Sequence, residues 1–370
     1  MKACIIIPTY NEAANIEPLL KEIFTVTKAI KGWEAHVLIV DDKSPDGTGK
    51  LVKKLQKKHA RLHLLEGRKQ GLGVAYIRGM RHAMKTLKPD AVFEMDADHS
   101  HPPALLPRFL KEVERGADFV IGSRYIPGGG TPQWPVKRRL MSKGANFLAR
   151  VIAGLYGVKD CTSGYRCIST KLLKRIDLKR LGAKGYSFQM NLLSQAIRKG
   201  GRVKEIPLVF HDRQQGESKM RFSDIAEFFL NAVKLRLQTW ERFIKFAIVG
   251  GTGVLVNMGV LAAVTELAGV TYQVSSLIAI ETAIIWNFFL NHKWTFRKST
   301  NPSSTFVKLL KFNAVSIVGA AINWGVLVLL TEAFGVFYLL SNLAGIAVAV
   351  VWNYLANAHY TWRDAPVKKG

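Results

Sequence analysis

Two kinds of hydrophobic pattern divide the chain. In the first part, short apolar runs at residues 4–7, 35–40 and 91–93, with a further strand at 61–65, alternate with stretches whose apolar residues recur every three or four positions. Ile16, Leu19, Leu20 and Ile23 form one such helical stripe; Leu51, Val52 and Leu55 form another. Mainly apolar runs without polar–apolar alternation, separated by helices, predict a parallel sheet covered on both faces. From residue 246 the pattern changes to four long apolar segments, about 246–267, 273–290, 312–330 and 339–355. Each is near the ~20 residues needed to cross a bilayer. The expected architecture is therefore an α/β domain over 1–222 and an all-α four-helix membrane domain over 246–370. Between them, 223–245 mixes apolar residues with Lys234, Arg236, Arg242 and Lys245, the pattern of one or two amphipathic helices lying on a lipid surface.

The membrane segments repeat with a period of 66 residues: Lys245-Phe246 recurs as Lys311-Phe312, Asn257 as Asn323, Trp286-Asn287 as Trp352-Asn353, and Asn291 as Asn357. Glu281 breaks the symmetry, because Ala347 takes its place. An intramembrane carboxylate is a functional candidate by default, and Asn257, Asn287, Asn323 and Asn353 are candidates for helix–helix hydrogen bonds. Glu266 and Glu332 lie in loops without Lys or Arg, whereas Lys293, Arg297, Lys298, Lys308 and Lys311 fill the middle loop and Arg363, Lys368 and Lys369 the tail. The positive-inside rule then places the first domain, the middle loop and the C-terminus in the cytoplasm.

Charge sharpens this picture. From residue 246 onward there are 8 Lys and Arg against 4 Asp and Glu, so nearly all of the net charge of +26 belongs to the first domain. Such a domain seeks anions. No zinc-finger spacing or nucleic-acid signature accompanies the charge, so phosphate ligands and the lipid bilayer are the expected partners rather than nucleic acid. Three scattered cysteines, Cys4, Cys161 and Cys167, argue against a disulfide framework and for a reducing compartment. The first strand begins almost at once, so no signal peptide is expected.

Candidate chemistry gathers where strands end, and in doubly wound sheets ligands bind beyond the carboxyl ends of the strands. Pro8–Glu12, Asp41–Asp46 and Asp96–Asp98 all fall there. Asp96 and Asp98 sit one residue apart, and an extended chain would aim both to one side. Two hard oxygen donors suit Mg²⁺ or Mn²⁺ completed by water and phosphate oxygens; a solvated acidic turn is the alternative. Glu12 and Asp42 also fit helix-cap or turn roles.

Pro8-Thr9-Tyr10-Asn11-Glu12, Asp41-Asp42-x-Ser44-x-Asp46-Gly47-Thr48 and Met95-Asp96-Ala97-Asp98 resemble the inverting nucleotide-sugar glycosyltransferases of family 2, which have the Rossmann-like GT-A fold. Gly122-Ser123-Arg124-Tyr125, Trp134-x-x-Lys137-Arg138-x-x-x-Ser142-x-Gly144-Ala145-Asn146, Thr162-Ser163-Gly164-Tyr165-Arg166, Lys184-Gly185-Tyr186-Ser187-Phe188-Gln189-Met190 and Arg213-x-x-Gly216-Glu217-Ser218-Lys219 are similar to its polyprenyl-phosphate glycosyltransferases, above all those making dolichyl-phosphate mannose. The likeness covers about residues 1–225, and the segment after 245 resembles GtrA-type membrane domains. It implies transfer of mannose from GDP-mannose to dolichyl or another polyprenyl phosphate, with inversion. UDP-glucose as donor, or a lipid-sugar flippase, are the alternatives.

By the same resemblance Pro8, Tyr10, Glu12, Val40 and Asp42 hold the nucleotide, and Asp96, Ala97 and Asp98 its diphosphate and metal. Ser100 stands where relatives have a further metal ligand. Arg124, Arg213 and Lys219 would act with Asp98 in catalysis and on the nucleotide sugar; Arg124, Arg138 and Ser142 would bind the lipid phosphate. Gln238-Thr239-Trp240-Glu241-Arg242 has the wrong order for the Gln-x-x-Arg-Trp of processive synthases. The whole implies a multi-pass protein of the cell membrane, prokaryotic and plausibly archaeal.

Overall fold

The computed structural model describes residues 1–179, 181, 187–210, 222–297, 299 and 301–362, with only the backbone of 222–226 and 239. It divides into two compact units, Met1–Leu237 and Gln238–Gly370.

The first unit is built on a seven-stranded sheet in the order β3-β2-β1-β4-β6-β5-β7. The strands are β1 (Lys2–Thr9), β2 (Glu34–Asp41), β3 (Leu62–Glu66), β4 (Ala91–Glu94), β5 (Phe119–Ser123), β6 (Arg166–Ser169) and β7 (Val203–Pro207). All neighbours are parallel except β6, which runs antiparallel between β4 and β5. The strand alternation explains why β1 and β2 read as unbroken apolar runs. Cys4, Ile6, Leu38 and Val40 face a core that includes Tyr76 and Met80 of helix α3 (Leu72–His82). Ile5, Ile7, Val37 and Ile39 face the opposite core, with Ile16, Leu19 and Ile23 of α1 (Ala13–Lys28). Both faces are covered, as a parallel sheet requires. Helix α2 (Thr48–Gln56) follows β2 and α4 (Leu106–Glu114) follows β4. Beyond β5 come α5 (Val136–Val151), then α6 (Thr170–Leu173) after β6, and α7 (Ser187–Arg198) before β7. Pro8 does not stop the first strand as its type suggests: β1 continues to Thr9, with Pro8 opposite Val40.

The segment over 223–245 is not a separate pair of surface helices. Helix α8 runs unbroken for 41 residues, Phe222–Ala262, because no Gly or Pro interrupts it before Gly250. Phe228, Ala232 and Leu235, spaced at helical intervals, are buried in the core of the first unit, so this face packs on protein.

Among the described residues of the second unit, four helices are long and apolar enough to span a membrane: Trp240–Leu267 (continuing from α8), Tyr272–Thr295, Thr305–Ala333 and Tyr338–Thr361. The last three begin as α9 (Tyr272–Leu290), α10 (Thr305–Val328) and α11 (Tyr338–Ala356), and every span ends in a widened π-turn. They outrun the purely apolar windows because polar residues at their ends keep helical geometry.

The sequence repeat is a structural repeat. The Asn287 carboxamide lies over Gly253 and that of Asn353 over Gly319, so close that a Cβ at either glycine would sit 2.4 Å from an amide atom. Small residues of this kind let membrane helices meet. A cavity of about 90 Å³ is lined by Phe246, Gly250 and Asn287 together with their counterparts Phe312, Ser316 and Asn353. Gly253→Val is expected to cost roughly 1–3 kcal/mol by overpacking, read as a lower unfolding midpoint in detergent. Gly251→Val, with nothing within 4 Å of its Cβ position, should leave the midpoint nearly unchanged.

Glu281 has a partner: Asn313 Nδ2 donates to its two carboxylate oxygens at 2.9 and 3.1 Å. The position 66 residues before Asn313 is Ala247, so both members of this pair are replaced by alanine in the other copy.

Candidate functional site

Three groups of residues meet the carboxyl edge of the sheet. The first joins the loops after β1 and β2. Asp41, buried at the end of β2, accepts hydrogen bonds from Thr9 Oγ1 at 2.9 Å, Ser44 Oγ at 2.6 Å and the Ser44 N–H at 2.9 Å. Ser44 Oγ in turn accepts from the Asn11 N–H at 3.0 Å. Asp46 accepts from the Ala13 and Thr48 N–H groups, each at 3.0 Å, and from Thr48 Oγ1 at 2.6 Å. Desolvation opposes ionisation of Asp46, but these donors outweigh it and hold the carboxyl below its ordinary range. Asp46 thus satisfies the first turn of α1 from another loop, a job that Glu12 at the N-cap does not do. Asn11 and Lys43 take left-handed φ of 62° and 54°, and the two loops are locked as one piece.

On this frame Tyr10 is 39% exposed, with Lys69 Nζ 3.3 Å from its ring centroid. Asp42 is held by Arg78 Nη2 of α3 at 2.5 Å. An exposed aromatic face, a cation and a carboxylate beside it offer stacking and hydrogen bonds to a base and ribose. Val40 lies beneath them, fully buried, its side chain directed at Gly79 of α3.

The second group is the Asp-x-Asp turn. Strand β4 stops at Glu94, so period-2 alternation does not extend to Asp98; a turn with His99 at φ 62° folds the chain back. Asp96 Oδ1 accepts from Tyr76 OH at 3.0 Å. The Asp96 N–H donates to His101 Nδ1 at 2.9 Å, which puts the ring proton on Nε2, 3.9 Å from Asp96 Oδ2. Asp98 Oδ1 accepts from Ser100 Oγ at 2.5 Å and from the Ser100 N–H at 3.1 Å. Ser100 is buried and serves as a brace for Asp98. Among the described residues no three His, Cys, Asp or Glu side chains form a metal cluster. Two half-buried carboxylates with oriented oxygens do fit a hard cation that keeps water and substrate oxygens in its shell.

Below the turn, Glu94 is fully buried, and Arg166 Nε stands off at 3.9 Å. Burial therefore prevails and pushes the carboxyl up to about 7. The buried Gln189 carboxamide beside it works against this rise by favouring the ionised carboxyl. Gly164 packs against this layer, where a Cβ would make ordinary contact at 3.4 Å from His101 and 3.7 Å from Asp96 Oδ2.

The third group follows β5. Arg124 donates to fully buried Asp160 through Nε at 2.7 Å, Nη2 at 2.8 Å and its backbone N–H at 2.9 Å, and to Thr162 Oγ1 at 2.8 Å. Burial alone would raise the Asp160 pKa, but the Arg124 guanidinium and these N–H donors hold it below the ordinary range. Tyr125 OH donates to Ser142 Oγ at 2.6 Å, and the Arg138 guanidinium lies 4.1 Å from the Trp134 ring centroid. Arg124, Arg138 and Ser142 are thus brought together by β5 and the inner side of α5. Arg213 and Lys219 lie outside the described residues. Sequence reasoning passed over Asp160, Tyr76, His101 and Lys69; Asp160 had one signal, its place just before the Thr162–Arg166 motif.

Residues 4–177 match the glycosyl transferase family 2 model, and residues 245–362 match the GtrA/DPMS transmembrane domain. The chain is 36% identical to a dolichol-phosphate mannosyltransferase of Pyrococcus furiosus, over 98% of its own length and 99% of that protein. It is 41% identical to a polyprenol monophosphomannose synthase of Mycolicibacterium smegmatis, over 61% of this chain and 83% of the relative. An undecaprenyl-phosphate mannosyltransferase of Micrococcus luteus is 40% identical over 65% and 97%. Among solved structures, glucosyl-3-phosphoglycerate synthase from Mycobacterium tuberculosis aligns over 64% of this chain and 79% of its own, with 18% identity and a TM-score of 0.46.

Proposed function

The chain belongs to the polyprenyl-phosphate mannosyltransferases of glycosyl transferase family 2, and from that membership we propose that it transfers mannose from GDP-mannose to dolichyl or another polyprenyl phosphate. The observation that carries the reading is the full-length likeness to a dolichol-phosphate mannosyltransferase, which spans both units.

In this reading the Tyr10–Asp42 surface receives the nucleoside, and Asp96 and Asp98 hold Mg²⁺ or Mn²⁺ at the diphosphate. The bound ion would offset charge developing on the leaving nucleotide as a Lewis acid. The acceptor phosphate, with a second pKa near ~6, is largely ionised at pH 7 and needs no protein base. It needs cations that hold it against a second anion, and Arg124, oriented by Asp160, and Arg138 supply them. Attack on the anomeric carbon from the face opposite the nucleotide inverts it and gives a β-linked product. The basic middle loop supports placing this chemistry at the cytoplasmic face.

The test is transfer of labelled sugar from GDP-mannose and from UDP-glucose to polyprenyl phosphate in detergent, with and without EDTA. Product from GDP-mannose alone, lost with EDTA and restored by Mg²⁺ or Mn²⁺, is expected. Product from UDP-glucose alone would overturn the donor, EDTA-resistant turnover the metal, and no product from either the enzyme reading itself.

A further inference from the structure

One helix reaches both ends of the candidate site. Tyr76 and Arg78 of α3 are two positions apart, which at about 100° per residue sends their side chains to opposite flanks of the helix. On one flank, the buried Tyr76 ring stacks parallel on Phe188 with centroids 6.0 Å apart, and its hydroxyl donates to Asp96 Oδ1 at 3.0 Å. On the other, the Arg78 guanidinium donates through Nη2 to Asp42 Oδ1 at 2.5 Å and through Nη1 to the Arg68 carbonyl at 3.3 Å. Arg78 thereby bridges the loops that follow β2 and β3. Gly79 falls between the two flanks and faces the sheet. A Cβ there would stand 2.7 Å from Ile6 Cγ2 and 2.9 Å from Val40 Cγ2, both on buried β-branched side chains with little freedom to turn. Glycine thus seats α3 directly on β1 and β2.

From this we propose that α3 is the frame that sets the spacing between the two halves of the site. Tyr76 is the positioning residue for the metal-binding carboxylate of Asp96, and Arg78 for the nucleoside-binding carboxylate of Asp42. The proposal rests on the roles given to Asp42 and Asp96 in the functional reading above. Those carboxylates follow β2 and β4, strands that β1 separates in the sheet. A nucleoside diphosphate has a fixed reach, so both of its ends are held at once only if the two loops keep one separation. Hydrogen bonds from a single seated helix impose that separation before the ligand arrives, which lowers the ordering cost of binding. Burial alone does not account for the Tyr76 bond. A buried tyrosine needs an acceptor, and a backbone carbonyl serves, as Pro102 O does for Tyr165 OH at 3.1 Å. Tyr76 donates instead to a half-buried carboxylate at the edge of the site.

The experiment uses the full-length protein in detergent with two binding measurements beside turnover. Mn²⁺ is titrated at saturating GDP and followed by electron paramagnetic resonance; GDP is titrated separately in EDTA. Tyr76→Phe keeps the stacked ring and removes only the hydroxyl. It is expected to weaken Mn²⁺ binding roughly tenfold, the effect of losing a partner that orients a metal ligand, and to leave GDP affinity in EDTA unchanged. Arg78→Met keeps the aliphatic stem and removes the charge-assisted bonds. It is expected to weaken GDP several-fold in EDTA and to leave Mn²⁺ affinity at saturating GDP unchanged. Gly79→Ala lifts the helix from the sheet and should weaken both. Wild-type Mn²⁺ affinity in Tyr76→Phe would overturn the proposal. So would loss of both affinities in Tyr76→Phe and Arg78→Met alike, the signature of a helix that only packs. These two variants decide the matter even if Gly79→Ala does not fold. A wild-type protein that binds Mn²⁺ and GDP in this pattern but transfers no sugar would sink the functional reading and leave the frame intact.

Discussion

Replacing Asp96 and Asp98 together by alanine is expected to abolish transfer, by roughly a thousandfold or more, while the protein keeps its melting temperature within a few degrees. The size follows from losing several kcal/mol of charge stabilisation at a leaving diphosphate, at ~1.4 kcal/mol per tenfold in rate. Stability should hold because both carboxylates are half-buried turn residues beyond β4, and their partners Tyr76 and His101 keep their ring contacts with Phe188 and Tyr165. Ser100→Ala is expected to cost far less, about tenfold, because it removes one brace from Asp98 and leaves the carboxylate. The decisive comparison is the dependence of rate on Mn²⁺ concentration. Wild-type protein and Ser100→Ala should saturate, the latter at higher metal, whereas the double variant should show none. A double variant that retained metal-dependent turnover would move the diphosphate site elsewhere.

The second large effect concerns folding. Asp160→Ala is expected to destabilise the first unit by about 3–5 kcal/mol, the range for stripping one partner from a buried ion pair. The Arg124 guanidinium would lose both its bonds to Asp160, and the Ser163 N–H would lose its acceptor. Asp160→Asn keeps the shape without the charge and separates packing from electrostatics. The pH dependence has a definite sign. A carboxyl whose folded pKa lies below its unfolded value contributes stability that is complete above about pH 4 and is lost as pH falls through the folded value. Thermal melts of the wild type in detergent should therefore drop on acidification below pH 4 more steeply than those of Asp160→Asn. Parallel curves would mean that Asp160 does not carry the charge assigned to it.

What was legible in the sequence was whatever repeats or runs. Unbroken apolar strands over 4–7 and 35–40 could only be buried on both faces, so the parallel layer followed. The 66-residue period announced a doubled helix pair, and the Gly253–Asn287 and Gly319–Asn353 contacts bear it out. Contacts that close over long distances left no local trace. Strand β6 is four residues long and begins at Arg166, the last residue of the Thr162–Arg166 motif, and its antiparallel placement depends on pairing with β4 and β5. Asp160 reads as one polar residue among many until Arg124, 36 positions earlier, folds against it. The Asp-x-Asp turn was found for the right residue types and a geometric reason that does not reach far enough: the strand ends at Glu94, and His99 with Ser100 sets the direction of Asp98. Composition divides helix α8 at about residue 245, although no Gly or Pro before Gly250 marks a break.

The doubled membrane unit also records a history. A helix pair has an even number of spans, so a tandem copy enters the membrane the same way up as its parent. The half-chain ancestor of such a unit could have formed the same four-helix body as a pair of identical subunits, with Asn287 and Asn353 descending from one residue and meeting one cavity. A symmetric pair must write every change twice. Glu281 and Asn313 stand opposite Ala347 and Ala247 in the other copy, an asymmetry that no pair of identical subunits can inherit. Fusion into one chain is thus what permits a single carboxylate on one side of this body, whichever copy changed.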